Sequence, residues 1–133
     1  MRILSVDYGE KRIGLAVCDK KEVLASRFLT LENKSLEKSI KEIKKIILEE
    51  NVKKIVVGIP IGFKNKSEQT KIIEKFIGKL EKNISIPIIK INEIFTSKMA
   101  KKNLREAGVK DVKKVIDQEA ARIILESYLE KGN

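Results

Sequence analysis

The sequence contains no histidine and no tryptophan, a single cysteine, two prolines and only 5% aromatic residues. Without histidine, Ser-His-Asp and Cys-His nucleophilic mechanisms are excluded, and so is a histidine-based zinc site. With Cys18 alone, neither an intramolecular disulfide nor a cysteine cluster can form; it lies in an apolar run and reads as a buried strand residue. The scarcity of aromatics argues against a stacking platform for single strands. There is no Ser-, Gly- or Pro-rich linker, and no apolar run long enough to span a bilayer. Any catalysis therefore falls to carboxylates, which work best with a hard cation.

What is present is 133 residues, 42% of them hydrophobic, enough for one core and one domain over residues 1–133. The net charge is +10 and the sequence pI about 9.7. Such a balance favours a polyanionic partner, because neutralising phosphates releases counterions. A Lys-rich solvated surface of thermophilic type is the other explanation. Lysine far outnumbers arginine, which suits backbone contact better than bidentate base reading. The chain runs from Met1-Arg2 straight into a strand-like segment with no signal peptide pattern, so a cytoplasmic location and no membrane partner are expected.

The periodicity predicts three strands first. Arg2 to Val6 is apolar and breaks at Asp7-Tyr8-Gly9; Ile13, Leu15 and Val17 then alternate with Gly14, Ala16 and Cys18, which suggests an antiparallel hairpin. Val23 to Leu31 forms the third strand. Leu36, Ile40, Ile43 and Ile47 make a helical stripe with Ser35 as N-cap. A buried strand ends at Gly58-Ile59-Pro60, and a helix capped by Ser67 follows. Ile86 to Ile91 is a further strand. Thr96 or Ser97 caps a short helix that stops near Gly108, residues 108–114 form a mobile loop, and a last helix runs from Val115 to Leu129. A meander followed by βαβ units predicts an α/β fold: a mixed five-stranded sheet, with a three-strand antiparallel meander, two parallel strands and helices on both faces.

Three acids stand out on this frame. Asp7 follows directly on an apolar run at a strand's carboxyl end, where sites gather in open α/β sheets. Its other reading is a turn-forming Asp bonded to its own backbone. Glu93 has the same placement after Ile88-Ile89-Lys90-Ile91, or belongs to an ordinary strand-to-helix loop. Asp117 shares a helix face with Ala120, Ala121 and Ile124, so it points toward the sheet; its other reading is a helix-start acid favoured by the macrodipole. Jointly the three could assemble one cation site or two, of the kind that cleaves phosphodiesters.

The run Val6-Asp7-Tyr8-Gly9-Glu10-Lys11-Arg12-Ile13-Gly14-Leu15-Ala16 resembles the opening of the bacterial YqgF (RuvX-type) proteins, described as Holliday junction resolvase-like and as pre-16S rRNA nucleases. Val56-Val57-Gly58-Ile59-Pro60 resembles the family's second motif, and Ile116-Asp117-Gln118-Glu119-Ala120-Ala121 its final helix. The resemblance implies a ribonuclease H-like fold, a carboxylate triad at Asp7, Glu93 and Asp117 that is both catalytic and metal-binding, divalent Mg or Mn as cofactor, and structured RNA or branched DNA as substrate. Lys11 and Arg12 would hold the substrate backbone, with Gly9, Asn92 and Thr96 beside them. The chain departs from the family at its third motif, usually Asp-Glu-Arg: here Asn92 lacks a charge and Ile94 lacks a guanidinium, while Glu93 keeps its place.

These readings favour a metal-dependent endonuclease, for pre-16S rRNA 5′-end processing in ribosome biogenesis or for resolving Holliday junctions. A non-catalytic RNA-binding or ribosome-assembly factor that keeps the fold is a second class. A nucleotide-binding phosphotransferase is a third, but its actin-like fold needs two lobes and 133 residues offer one. A two-fold dimer would suit a symmetric junction and a monomer would suit RNA processing.

Overall fold

A computed structural model describes residues 2–19, 21–60, 68–93 and 96–131. The elements run β1 (Arg2–Tyr8), β2 (Arg12–Cys18), β3 (Ala25–Glu32), α1 (Leu36–Glu49), β4 (Val52–Pro60), α2 (Glu68–Asn83), β5 (Ile88–Glu93), α3 (Thr96–Glu106) and α4 (Val112–Glu130). The sheet has five strands in the order β3-β2-β1-β4-β5. β1, β2 and β3 form the antiparallel meander, and β4 and β5 extend it in parallel to β1. The carboxyl ends of β1, β4 and β5 therefore share one edge.

Strand alternation sorts the side chains into two cores. Leu4, Val6 and Tyr8 of β1 and Ile13, Leu15 and Val17 of β2 meet α1 and α2, with Phe76 of α2 stacked on Tyr8 at 4.2 Å between ring centroids. Ile3, Ala16, Cys18 and Val56 face the other way, onto Ala121, Ile124, Leu125 and Tyr128 of α4. The sheet face beneath α4 carries the small residues Ser5, Gly14, Ala16, Cys18 and Gly58, and the helix sits close to the strands. A Cβ on Gly58 would fall 2.4 Å from Ile124 Cδ1. Ser5 Oγ donates to the Ala121 carbonyl at 2.6 Å, so a buried hydroxyl is satisfied by the helix that covers it. At the far end of α4, Lys54 Nζ donates to the Tyr128 hydroxyl at 2.8 Å. α3 packs on the outer side of α4 through Ala100, Ala120 and Ile123.

The expected sheet and its two helical layers are present. Ser35 caps α1, accepting from the Lys38 amide at 3.2 Å, and Cys18 is buried, its sulfur accepting from the Ile3 amide. The differences lie at element ends. β1 continues through Asp7 to Tyr8, and β5 runs from Ile88 through Glu93, because both strands stay hydrogen-bonded to a neighbour beyond their last apolar residue. β3 starts at Ala25, since Asp19 Oδ1 accepts from the Val23 and Leu24 amides and holds those residues in the turn. α3 stops at Glu106 and Gly108, at φ 76°, reverses the chain. α4 starts at Val112, so residues 112–114 are helical rather than part of the expected loop. Thr96 is the first residue of α3, and the expected cap at Ser67 lies outside the described residues. Among the described residues no helix is long and apolar enough to cross a membrane.

Candidate active site

Asp7 is the penultimate residue of β1 and shares the parity of Ile3 and Ser5, so its side chain faces α4. Its ladder partner on β2 is Gly14. At Gly14 the backbone of α4 meets the strand: a Cβ there would lie 1.9 Å from the carbonyl oxygen of Asp117 and 2.8 Å from its Cβ. One residue without a side chain thus brings the first turns of α4 down beside Asp7. Asp7 is half-buried. Burial, and then the negative charge of Asp117, push its carboxyl up to about 7.

Asp117 is engaged from the solvent side. Arg12, the first residue of β2, donates from Nε to Asp117 Oδ2 at 2.8 Å. The guanidinium is half-exposed while the carboxylate is mostly covered. Arg12 therefore orients Asp117 and stands at the mouth of the acid pair. Lys11 is exposed on the same β1–β2 turn. Gly9 opens that turn, and a Cβ there would lie 2.5 Å from the Arg12 carbonyl.

The turn is braced by a residue that the sequence reading missed. Asn33, between β3 and α1, donates from Nδ2 to the Gly9 carbonyl at 2.8 Å and from its amide to the Lys11 carbonyl at 2.9 Å. Ser39 Oγ of α1 donates to Asn33 Oδ1 at 2.8 Å. Gly9 and Lys11 are distant from Asn33 in sequence, so local patterning gives no sign of the brace. Glu119, a second such residue, is buried within α4. It accepts from Arg122 at 2.6 and 2.8 Å and from Asn103 of α3 at 3.2 Å, with Arg27 of β3 at 3.8 Å. Burial works against its ionisation, but Arg122 and Asn103 outweigh burial and hold the carboxyl below its ordinary range. Glu119 thereby ties α4 to both α3 and β3, two residues beyond Asp117.

Glu93 ends β5, paired with Pro60 of β4 on the same sheet edge as Asp7. With β4 between them, β1 and β5 are roughly 10 Å apart, two strand spacings. Asn92 is exposed and pairs with Ile59. The side chains of Glu93 and Thr96 lie outside the described residues. Among the described residues no group of three His, Cys, Asp or Glu side chains is placed to hold a metal ion. The pair that is described does suit one. Two carboxylates lie close enough for the charge of one to act on the other, the deeper is disfavoured as an anion by burial and by its neighbour, and a hard divalent cation relieves both effects with oxygen ligands.

A mixed five-stranded sheet, with acids at the carboxyl edge of its first strand and on the helix that crosses it, defines the ribonuclease H-like class. The fold matches that of T. thermophilus RuvC in complex with a Holliday junction substrate, with a TM-score of 0.66 over 99% of this chain and 96% of that one at 11% identity. Within the class, the chain belongs to the RuvX family, described as Holliday junction resolvase, which it matches over residues 1–131. A Maridesulfovibrio salexigens relative is 34% identical, covering 99% of this chain and all of its own. One from Natranaerobius thermophilus is 39% identical, covering 98% and 95%. Both carry the provisional name pre-16S rRNA nuclease.

Proposed function

We propose that residues 1–133 act as one nuclease domain that hydrolyses phosphodiester bonds in structured RNA, in the cytoplasmic processing of the pre-16S rRNA 5′ end. The observation that carries this reading is the Asp7–Asp117 pair, closed over Gly14 at the carboxyl edge of the sheet. The names of the curated relatives support RNA as the substrate.

In this reading Asp7, Asp117 and Glu93 would hold a divalent cation, Mg or Mn. When bound, such an ion supplies an activated water and offsets charge on the leaving oxygen. The chain's own residues do the rest. Asp7 is the fixed, half-buried carboxyl of the site, and α4 presents Asp117 to it. Arg12 fixes the Asp117 carboxylate at one oxygen and presents its remaining guanidinium donors at the rim. Lys11 meets the substrate's phosphates as a point charge. Gly9 lets a strand approach the turn closely. Asn92 and Thr96 supply uncharged hydrogen-bonding groups on the β5 side.

A cleavage panel tests the proposal: pre-16S rRNA fragments, junction DNA, single strands and RNA–DNA hybrid, each with and without Mn. Metal-dependent cutting of the rRNA fragment, lost in Asp7→Asn with binding retained, is the expected result. Cutting that persists in Asp7→Asn would remove the triad assignment. The family's description favours a second reading, resolution of branched DNA; preferential, symmetric cutting of the junction would select it.

A further inference from the structure

On the sheet face opposite α4, a cleft runs between α1 and α2. It comprises a trough of about 630 Å3 and another of about 290 Å3, which meet at Glu37 and Lys79. Those two residues are paired with each other at 3.8 Å. The remaining charged residues of the lining are all cations: Lys41 and Lys44 of α1 on one side of the pair, Lys75 and Lys82 of α2 on the other. None of the four is paired with a carboxylate among the described residues. Four like charges around a concave surface with apolar walls raise a local positive potential.

The start of α1 links the cleft to the candidate site. Its lining includes Leu36 and Glu37, the first turn of α1. That turn follows Asn33, whose side chain is bonded to the Gly9 carbonyl of the β1–β2 turn. Lys11 and Arg12 lie on the same turn. The first turn of α1 therefore stands between the β1–β2 turn, with its Lys11 and Arg12, and the lysines of the cleft.

We propose that the lysines of the α1–α2 cleft bind the phosphate backbone of the structured RNA substrate at a distance from the cut, holding an arm that wraps over the β1–β2 turn. This rests on the nuclease reading for the identity of the RNA, but not on cleavage. The contacts are lysine point charges in a trough without aromatic lining, so they grip backbone and do not read sequence.

The test is equilibrium binding of a pre-16S rRNA fragment in EDTA, where no cutting occurs, across a salt series. The chain is compared with the variant Lys41→Gln/Lys44→Gln/Lys75→Gln. A control, Lys21→Gln/Lys53→Gln/Lys131→Gln, removes equal charge from exposed positions at the opposite edge of the sheet. The cleft variant should lose about tenfold or more in affinity, and its salt slope should fall by about two, at roughly 0.7–0.9 per phosphate contact. The control should change much less. Equal losses in both variants, or an unchanged slope in the cleft variant, would overturn the proposal; circular dichroism checks that both are folded. Loss confined to junction DNA, with RNA affinity intact, would also overturn it. If the unaltered chain binds RNA through the cleft yet never cuts it, the nuclease reading fails and the cleft assignment stands.

Discussion

Gly14 and Asp117 are in backbone contact: a Cβ on the glycine would lie 1.9 Å from the aspartate's carbonyl oxygen. Since Gly14 is also the ladder partner of Asp7, the separation of the two acids is set by the absence of a side chain. Gly14→Ala should push the start of α4 off the sheet. We expect a loss of stability of about 1–3 kcal/mol, from overpacking. We also expect roughly a hundredfold loss of cleavage, as for a displacement near 1 Å. Urea denaturation and a turnover assay read the two, and wild-type turnover in the alanine variant would show that this contact does not set the site.

The raised Asp7 carboxyl gives a pH dependence with a definite sign. Its value is about 7 in the folded chain, against an ordinary 3.8. Between those values the native state holds the extra proton, so stability is lost as pH rises from about 4 to about 7. For a half-buried group the size is on the order of 2 kcal/mol. Metal-free protein should melt lower at pH 8 than at pH 5, and Asp7→Asn should flatten that difference. A variant with the same pH slope as wild type would contradict the assignment.

Arg12 and Asp117 form a rim ion pair, and exposed pairs contribute little to folding. Arg12→Ala should therefore change stability by less than about 1 kcal/mol. Its effect should instead fall on catalysis, through a freed Asp117 carboxylate and a lost phosphate contact. A higher KM together with a lower kcat is expected. A large stability loss with unchanged kinetics would make Arg12 a structural residue.

Glu119 presents the opposite case. It is buried, and its removal leaves Arg27 without its anion and Arg122 with Glu126 alone. Glu119→Ala should cost about 3 kcal/mol, toward the lower end for a broken buried pair because both arginines keep some solvent. Chemical denaturation measures it; a loss under about 0.5 kcal/mol would indicate that the cluster is held by packing alone.

Much of this architecture could be read in the chain. The alternation of Ile13, Leu15 and Val17 with Gly14, Ala16 and Cys18 was legible as a two-faced strand, because burial on both faces leaves large residues on one side and small ones on the other. Asp7 and Asp117 were legible as candidate site residues, since a carboxylate amid apolar neighbours needs a compensating reason. Gly14 was seen only as a small residue: a glycine that fits a hairpin and one that admits a helix look the same in sequence. The start of α4 was placed late because Val112-Lys113-Lys114 carries no side-chain cap, and Asp111 makes no capping hydrogen bond. The bracing roles of Asn33 and Glu119 were invisible, because Gly9 and Lys11 in one case, and Asn103 and Arg27 in the other, meet them only in the tertiary fold.

α4 is held to the sheet along its length, by the Lys54–Tyr128 hydrogen bond near its end, the Ser5–Ala121 hydrogen bond midway and the Gly14 contact near its start. Eleven residues of helix separate Asp117 from Tyr128, about 16 Å of rigid rod. Measured from its Tyr128 anchor, the helix is a lever whose load is Asp117, with the Ser5–Ala121 hydrogen bond restraining it midway. A tilt of about 4° about that anchor shifts the aspartate by roughly 1 Å, enough to detune a metal-dependent site. Substitutions around Tyr128, remote from any reacting atom, become a means of adjusting the gap between the two acids by fractions of an ångström.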